Sequence, residues 1–384
     1  MSMRAFITFG TRPEAIKMAP IIDECRRRGG RIEAIVCLTG QHHELLSQVT
    51  DYFNIRADVD LALMRPGQSP AEVTARCLAQ LDRELARLRP DCVVVQGDTS
   101  TVMAAALGAF FRHIPLVHVE AGLRTGNLLA PWPEELNRRV ASLAATLHCA
   151  PTERAAANLR AEGIAPATIH VTGNTVIDAL LQTRQRERAN AAHWRRQYPM
   201  LANRRMVLIT GHRRENLGSG GLQRVCQAVA ALARRFTDVE FLYPVHLNPQ
   251  VQSAVRPLLA GLPNVWLVEP ASYPAFVWLM ERSHLILTDS GGIQEEAPSL
   301  GKPLLVTRDT TERPEAVEAG AVELVGTNIE RIIDRTALLL TDPAAHAAHR
   351  VALKPYGDGR AAPRIVDLML QSLPHLSPHP KFCT

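Results

Sequence analysis

Residues 285–315 combine the residue types that could hold a phosphate, a sugar and a counter-charge in one place. The apolar run Leu285–Thr288 is typical of a strand, and the turn after it contains Gly291 and Gly292, both free to take positive φ. A helix is predicted to follow over residues 293–300, and its first backbone N–H groups have no partner inside it. A helix start that is reached through glycines in this way is a ready anion site.

Three charged residues extend this predicted site beyond the phosphate. Glu295 and Glu296 fall one turn into the helix, where a carboxylate can accept hydrogen bonds from the hydroxyls of a sugar. Arg313 lies in a later loop that is predicted to return to the same strand ends. The segment therefore predicts a ligand that carries both a sugar and an anionic group.

A second group of residues, the carboxylates Asp98, Glu120 and Glu134, could exchange protons with a ligand. Asp98 and Glu120 follow short apolar runs, so both are expected near one edge of a sheet. Asp98 could instead cap the next helix, and Glu134, which follows the sequence PWP, could serve only the dipole of the helix it begins. Glu120 has the weaker structural explanation, because a lone carboxylate at the end of a buried strand needs a reason.

A cationic turn is predicted after the first strand of the second half of the chain. His212 is followed directly by Arg213 and Arg214, and such a turn could receive a diphosphate and stabilise charge that builds on a leaving group. A lone histidine is often structural, and Arg12 and Lys17 are either surface charges or phosphate partners. Their joint positions at predicted strand ends favour ligand binding.

Composition and missing motifs argue against several classes of protein. The net charge of +5 comes without a block of basic residues or aromatic-basic interleaving, so no nucleic-acid surface is predicted. No segment is long and apolar enough to span a membrane, and the N-terminus has no cleavage-type region. The seven cysteines form no C-x-x-C pair, which favours a reducing, cytoplasmic setting over a disulfide framework or zinc site. No G-x-G-x-x-G follows the first strand, so a nicotinamide or flavin cofactor is disfavoured.

Strand-like and helix-like patterns alternate along the chain, which predicts parallel sheets with helices on both faces. Two such series predict an α/β protein of two doubly wound domains, residues 1–175 and 176–361. The arginine-rich stretch 182–205 is the candidate for the link, and a helix over about residues 362–384 is expected to pack back on the first domain. Because ligands bind beyond the carboxyl ends of parallel strands, two facing sets of strand ends predict a cleft with charged walls.

Short apolar runs mark ten strands, and longer amphipathic stretches mark the helices between them. The predicted strands are residues 4–9, 32–39, 92–96, 116–119 and 147–150 in the first domain and 206–210, 241–245, 265–268, 285–288 and 303–306 in the second. The predicted helices are residues 15–28, 72–88, 101–111, 134–144, 221–236, 250–259 and 273–282.

Taken together, these motifs resemble the non-hydrolysing UDP-N-acetylglucosamine 2-epimerases of bacteria. The resemblance covers nearly the whole chain, and so many long motifs in one order make it very specific. The motifs are GTRPEAIKMAP (10–20), GQH (40–42), VQGDTSTVMAAAL (95–107), HVEAGLRTGN (118–127), PWPEELNR (131–138), VTGNTVIDAL (171–180), TGHRREN (210–216), YPVHLNP (243–249) and the segment 285–315.

The resemblance implies a fold and a reaction. It implies a GT-B-like fold, in which two Rossmann-like domains face each other across a cleft that holds the UDP-sugar, usually in a homodimer. It implies reversible conversion of UDP-N-acetylglucosamine (UDP-GlcNAc) to UDP-N-acetylmannosamine (UDP-ManNAc) for bacterial polysaccharide synthesis, with no metal or redox cofactor. In the family mechanism UDP is eliminated to give 2-acetamidoglucal, and it is added back after protonation on the other face.

The resemblance also implies roles for individual residues. Asp98, Glu120 and Glu134 match the acid–base carboxylates, although the residues leave open which of them acts on which face. His212 matches a histidine near the diphosphate, Ser290 and the glycine amides would bind the diphosphate, and Glu296 would accept from the ribose hydroxyls. The residues that match nucleotide-sugar contacts are Arg12, Lys17, Arg138, Phe276, Ser290, Gly291, Gly292, Glu296 and Arg313.

Two positions depart from the family pattern. Ala271 stands where many relatives carry glutamine beside the uracil, which matters little if that contact uses the backbone. Glu44 follows Gln41 and His42, where members that are regulated by a second UDP-GlcNAc molecule can carry glutamine. Gln41 and His42 are therefore a possible allosteric site, and allosteric activation stays open.

Three other functions are compatible with parts of the pattern. A hydrolysing epimerase would release UDP and free N-acetylmannosamine, but intact TGHRREN and PWPEELNR motifs favour retention of UDP. A UDP-sugar glycosyltransferase on the same fold would need an acceptor site and often a basic, apolar membrane-facing helix, and no such helix is predicted from the sequence. A nucleotide-sugar sensor without activity is disfavoured because all the candidate carboxylates are present.

Overall fold

The chain divides into two compact units in a computed structural model. The structure describes residues 2–40, 43–63, 65, 67–202, 204–211, 213, 217–218, 220–350 and 354–375. The first unit contains the residues up to 179 together with those from 356 onward, and the second contains residues 180–355. The division falls within one helix, Thr175–Ala189, so the chain passes from one unit to the other through helical backbone.

The first unit is a seven-stranded parallel sheet with strand order β3-β2-β1-β4-β5-β6-β7. The strands are β1 Met3–Phe9, β2 Ile32–Leu38, β3 Val59–Asp60, β4 Cys92–Gln96, β5 Leu116–Val119, β6 Leu147–Ala150 and β7 Ile169–Val171. Its helices are α1 Arg12–Arg27, α2 His43–Tyr52, α3 Pro70–Leu88, α4 Ser100–Phe111, α5 Glu134–Ala144, α6 Glu153–Ala161 and the start of α7 Thr175–Ala189, with one 3₁₀ turn at Pro166–Thr168.

Continuous apolar sequence explains why the central strands form. Every residue of Cys92–Gln96 and of Leu116–Val119 is buried, as expected for parallel strands that are covered on both faces. Helices α1 and α3 begin at capping boxes, in which Thr11 or Ser69 caps the helix and Glu14 or Glu72 reaches back to the cap residue. These capping boxes fix the residues at which α1 and α3 begin.

A helix near the C-terminus belongs to the first unit. This helix, Ala361–Ser372, is followed by a 3₁₀ turn at Leu373–His375. The buried carboxylate of Asp178 accepts hydrogen bonds from the backbone N–H groups of Ala361 and Ala362, at 3.1 and 2.9 Å. Burial raises the pKa of Asp178 to about 6, while those two backbone hydrogen bonds work in the opposite direction. The carboxylate thus serves as the N-terminal cap that this helix lacks in its own sequence.

The second unit is a six-stranded parallel sheet with strand order β10-β9-β8-β11-β12-β13. The strands are β8 Arg205–Thr210, β9 Val239–Pro244, β10 Val265–Val268, β11 Leu285–Thr288, β12 Leu304–Val306 and β13 Val322–Leu324. The helices after α7 are α8 Ala191–Gln197, α9 Gly221–Arg235, α10 Pro249–Leu259, α11 Tyr273–Arg282, α12 Gly291–Ser299, α13 Pro314–Glu318, α14 Ile329–Thr341 and α15 Pro343–His349, with a 3₁₀ turn at Pro199–Leu201. We number the helix Ala361–Ser372 of the first unit α16.

The predicted α/β class with two doubly wound parallel sheets is confirmed. The predicted strands all occur, and the prediction missed three: β3, β7 and β13, which have only two or three residues each. Strands that short are paired by their neighbours in the sheet and leave no periodic pattern in sequence. Over the part of the chain that the structure describes, none of the helices has the length and apolar character needed to cross a membrane.

Candidate active site

Glu120 is a buried carboxylate at the strand ends of the first unit. It follows β5, it is 6% exposed, and its φ of 63° lies in the left-handed region that non-glycine residues seldom adopt. The Lys17 Nζ atom lies 2.5 Å from Glu120 Oε2, and the side-chain amide of Gln96 donates to the same oxygen. Lys17, predicted as a substrate contact, therefore pairs with a predicted catalytic residue, and Gln96 is a contact that the sequence did not indicate.

The backbone after Glu120 needs a glycine. Gly122 has a φ of 91°, and a Cβ at this position would lie 2.2 Å from the carbonyl oxygen of Ala155 in α6. The Asn158 side chain also donates to the Gly122 carbonyl, at 2.9 Å. The turn that carries Glu120 is therefore pressed against α6, and no larger residue fits at 122.

Asp98 sits in the turn after β4 and is held from the side by α5. Arg138 donates to the Asp98 carboxylate, and the Asn137 side chain donates to the Asp98 carbonyl oxygen at 2.9 Å. Thr99 is the N-cap of α4, since its hydroxyl accepts from the Val102 N–H at 3.3 Å. The alternative of Asp98 as a helix cap is therefore wrong, and its carboxylate is paired with a cation instead.

Glu134 and Glu135 have different environments at the start of α5. Glu134 is half-buried in the first turn, where the helix dipole favours an anion. Glu135 is fully buried, accepts from the Thr125 N–H at 3.2 Å, and lies 3.3 Å from both Arg138 and Arg139. Glu135, which the sequence analysis did not select, therefore orients the arginine that binds Asp98.

Glu14, a buried carboxylate that the sequence analysis did not select, holds two of these turns together. Glu14 accepts from the Gly10 and Thr11 N–H groups at 3.0 and 2.8 Å and from the Thr99 hydroxyl at 2.7 Å, and burial raises the pKa of Glu14. This links the start of α1, where Arg12 lies, to the turn of Asp98. The capping-box sequence T-x-x-E signalled only the local half of that role.

His118 supports the Asp98 turn from the next strand. Its Nε2 lies 2.8 Å from the Gly97 carbonyl oxygen. Burial lowers the pKa of His118 to about 4, so the ring is neutral at neutral pH and donates through Nε2–H. His118 therefore positions the backbone of the turn that carries Asp98. No sequence signal indicated this role, because a lone histidine inside a strand has no characteristic pattern.

In the second unit, α12 begins directly at Gly291. Ser290 is its N-cap residue, yet within the described chain the Ser290 side chain makes no capping hydrogen bond. The prediction that Gly291 and Gly292 lie in a turn before a helix over residues 293–300 is wrong, because both are the first helical residues and neither has a positive φ. A Cβ on Gly291 would lie 3.2 Å from Arg213 Nη2 and 3.5 Å from Arg313 Nη1, so glycine allows close approach there.

Arginines gather at this helix start, and carboxylates hold them. Arg313 Nε donates to Glu295 Oε1 at 2.7 Å, and Glu295 is 1% exposed. Glu312 lies within 3.7 Å of Arg213, 2.9 Å of Arg308 and 3.2 Å of Arg313. Burial by itself would raise the pKa of Glu312, but Arg313, Arg308 and Arg213 lower it to about 2.

The turn after β8 is fixed beside the same helix start. Asp289 Oδ2 accepts from the Arg213 N–H at 2.9 Å, and the Tyr243 hydroxyl donates to the Gly211 carbonyl at 2.7 Å. The predicted residues His212, Gln41 and His42 lie outside the described residues, as do residues 214–216. Of the charged residues predicted in this cationic turn, the structure describes Arg213.

Two remaining predicted residues, Glu296 and Phe276, lie on helices of the second unit. Glu296 is buried and accepts from the Tyr273 hydroxyl at 3.1 Å, while Phe276 is half-buried on α11. A pocket of about 300 Å³ lies beside the start of this helix, and Ala271 is part of its wall. Its lining is Gln197, Tyr198, Met200, Val268, Glu269, Pro270, Ala271 and Ser272.

The two units therefore offer complementary chemistry. The strand ends of the first present carboxylates that can accept or donate protons, with basic partners beside them. The strand ends of the second present a helix N-terminus with guanidinium groups, which suits an anion such as a diphosphate. Among the described residues, no three His, Cys, Asp or Glu side chains cluster as metal ligands.

Comparison with known proteins gives a consistent result across the chain. Residues 23–370 match the family model described as UDP-N-acetylglucosamine 2-epimerase. The chain is 52% identical to a probable UDP-N-acetylglucosamine 2-epimerase of Ralstonia nicotianae, over 94% of this chain and 97% of that protein. It is 51% identical to the UDP-N-acetylglucosamine 2-epimerase of Yersinia pestis, over 95% and 97%. The crystal structure of the Neisseria meningitidis UDP-GlcNAc 2-epimerase bound to UDP-GlcNAc superposes with a TM-score of 0.91 at 47% identity, covering 96% of this chain and 100% of that one.

Proposed function

Since the chain belongs to the UDP-N-acetylglucosamine 2-epimerase family, we propose that it interconverts UDP-GlcNAc and UDP-ManNAc and retains UDP throughout. The observation that carries this proposal is the division of charge between the strand ends of the two units. Carboxylates paired with cations occupy the first unit, and arginines around a helix N-terminus occupy the second. Epimerisation by elimination needs both, a proton acceptor and a cradle for a departing diphosphate.

The second unit would hold the nucleotide and stabilise the leaving group. When the bond between the anomeric carbon and the diphosphate oxygen breaks, its electron pair goes to that oxygen. The α12 N–H groups, Ser290, Arg213 and Arg313 would stabilise the charge that develops there. Glu296 would accept from the ribose hydroxyls and Phe276 would pack on the nucleotide, and His212 is assigned near the diphosphate from the family resemblance.

The first unit would move the proton. The hydrogen on sugar carbon 2 is poorly acidic until the anomeric bond breaks and positive charge grows beside it, so proton removal and UDP departure are coupled. One carboxylate of the set Asp98, Glu120 and Glu134 takes the proton, and a carbon 1–carbon 2 double bond forms, giving 2-acetamidoglucal. A proton is then delivered to the opposite face, and the UDP oxygen re-forms its bond to carbon 1.

The cation partners in the first unit fit this scheme. Lys17 lies 2.5 Å from Glu120, and Arg138 donates to Asp98, so each carboxylate has a basic group that can balance its charge as protons come and go. Arg12, at the first position of α1, is assigned to the substrate. A hydrolysing epimerase would use the same elimination, and the arginine group of the second unit favours retention of UDP over its loss.

Deuterium incorporation tests this function. The protein is incubated with UDP-GlcNAc in heavy water and the products are followed by NMR. We expect UDP-ManNAc and UDP-GlcNAc that both carry deuterium at carbon 2. Free N-acetylmannosamine as the main product would identify a hydrolysing enzyme, and no exchange at all would exclude epimerisation by proton transfer.

We also propose that the chain works as a homodimer. Phe110, Phe111 and Leu143 are 60%, 62% and 80% exposed. They lie at the C-terminal ends of α4 and α5, which pack side by side and both run antiparallel to the strands. Large apolar groups at one end of adjacent helices are typical of a subunit interface.

Sedimentation equilibrium tests the dimer. The wild type should have twice the 42.2 kDa chain mass, and Phe111→Arg should have the mass of one chain. Leu247→Arg, at a similarly exposed leucine of the second unit, is the control and should stay dimeric. A single-chain mass for the wild type, or a dimeric Phe111→Arg, would contradict the assignment.

A further inference from the structure

Glu312 is shared by three guanidinium groups that come from two loops of the second unit. Arg213 follows β8, Arg308 follows β12, and Arg313 precedes α13. Their distances to the Glu312 carboxylate are 3.7, 2.9 and 3.2 Å. The Glu312 side chain is 17% exposed and the Arg213 side chain is 33% exposed, so the cluster is partly shielded from solvent. A single carboxylate is thus the common contact of the whole group.

Three cations beside one another repel, and their repulsion grows as water is excluded. Glu295 pairs with Arg313, whereas Glu312 lies close to all three arginines. The carboxylate of Glu312 therefore offsets the mutual repulsion that would drive the guanidinium groups apart. Without Glu312 the guanidinium groups would separate toward solvent.

The geometry shows where the arginines are aimed. The same Arg213 Nη2 that faces Glu312 lies 3.2 Å from the position of a Cβ on Gly291, and Arg313 Nη1 lies 3.5 Å from it. Glu312 therefore holds both side chains against the first residue of α12. A carboxylate that simply competed with a ligand would draw the guanidinium groups away from that helix start.

We propose that Glu312 is a positioning residue for the diphosphate site, which holds Arg213 and Arg313 over the N-terminus of α12 before the nucleotide binds. The inference rests on the proposed function, because it takes the ligand at α12 to be a nucleoside diphosphate. Preorganised groups bind more tightly, since the cost of ordering them is met on folding. The pKa of Glu312, lowered to about 2 by the surrounding arginines against the effect of burial, means that the carboxylate stays charged at any pH at which the enzyme would work.

Calorimetric titration of the full chain with UDP tests the role of Glu312. If Glu312 positions the arginines, its loss weakens UDP binding; if it competes with the ligand, its loss strengthens UDP binding. Glu312→Gln removes the charge at nearly constant volume, and we expect the Kd for UDP to rise about tenfold. Uridine, which has no phosphate, should bind the variant within about twofold of the wild type. Glu312→Asp keeps the charge on a shorter side chain and should show an intermediate loss. Glu330→Gln makes the same charge change at an exposed site on α14 and is the control.

The outcomes separate this inference from the proposed function. UDP affinity that is unchanged or higher in Glu312→Gln would overturn the positioning role, as would an equal loss for UDP and uridine, which would indicate a general structural defect. If Glu312→Gln does not fold, Glu312→Asp decides by the same comparison of UDP with uridine. A wild-type chain that binds no UDP would overturn the proposed function and this inference with it.

Discussion

The strand ends of the two units use opposite charge schemes on the same type of sheet. In the first unit Glu120 and Asp98 are the central groups, and Lys17 and Arg138 hold them. In the second unit the arginines are central, and carboxylates such as Glu312 hold them. A partly buried charge needs an opposite charge beside it. Cations therefore stabilise the carboxylates of the first unit, and carboxylates stabilise the arginines of the second. The parallel sheet supplies the positions, and these side chains decide the chemistry.

Three helix starts of the first unit differ from the start of α12 in the second unit. In the first unit α1, α4 and α6 are capped by the side chains of Thr11, Thr99 and Thr152, which satisfy backbone N–H groups locally. Ser290 stands at the corresponding position of α12, and in the described structure its side chain makes no such bond. The Thr99 cap fixes the turn that carries Asp98, whereas the uncapped start of α12 keeps its N–H groups for an anion.

Replacing Arg313 by glutamine should have the largest effect on the second unit. The change removes one of the two guanidinium groups beside Gly291 and breaks the ion pair between that group and the buried Glu295. We expect kcat/KM for UDP-GlcNAc to fall by a factor of about 10² to 10³, or roughly 3–4 kcal/mol. Arg335→Gln, which breaks an ion pair with Glu323 elsewhere in this unit, is the control and should stay near wild type. Activity of Arg313→Gln within about threefold of the wild type would contradict the charge scheme.

The first unit should lose stability in acid through His118. Burial lowers the pKa of His118 from 6.5 to about 4. The unfolded chain therefore binds a proton near pH 6.5 that the folded chain binds only near pH 4, so the free energy of unfolding falls by about 3 kcal/mol as the pH drops across that range. Urea unfolding at several pH values should show a weaker pH dependence for His118→Gln. If the free energy of unfolding depends on pH equally in the variant and the wild type, His118 is not the source of the acid sensitivity.

A single methyl group on α12 should produce a smaller effect. Gly291→Ala places a Cβ 3.2 Å from Arg213 Nη2, so we expect the guanidinium to shift and UDP to bind about tenfold more weakly, or about 1.4 kcal/mol. Gly292→Ala is the matched control, since its Cβ would lie 4.0 Å from the Ser290 hydroxyl and should change UDP binding little. Titration with UDP measures both. Equal losses in the two variants would mean that helix geometry, and not arginine contact, sets the affinity.

Much of the fold could be predicted because the buried strands are continuous apolar runs. Cys92–Gln96, Leu116–Val119, Leu147–Ala150, Val265–Val268 and Leu285–Thr288 were located to the residue. Edge strands such as Val59–Asp60 and Val322–Leu324 were not, because two or three residues show no period and owe their conformation to a neighbour. Helix starts shifted by two or three residues where proline or glycine occupies the first turn, as in Arg12–Arg27 and Gly291–Ser299.

Less of the candidate site could be predicted, because its contacts join distant parts of the chain. Lys17 and Glu120 are 103 residues apart and meet only because β1 and β5 both flank β4. Sequence spacing located both residues at strand ends but not the pair. The different environments of Glu134 and Glu135 were equally hidden, since neighbouring residues on a helix point in different directions and only packing decides which is buried.

Deuterium exchange by Glu120→Gln tests the proposed division between the units most directly. The variant keeps the shape of the side chain but removes the carboxylate that faces Lys17. We predict that it binds UDP with wild-type affinity, because the arginines of the second unit are untouched, and that it incorporates no deuterium at carbon 2 of UDP-GlcNAc in heavy water. Near-normal exchange, or loss of UDP binding together with exchange, would contradict the assignment of proton transfer to the first unit and nucleotide binding to the second.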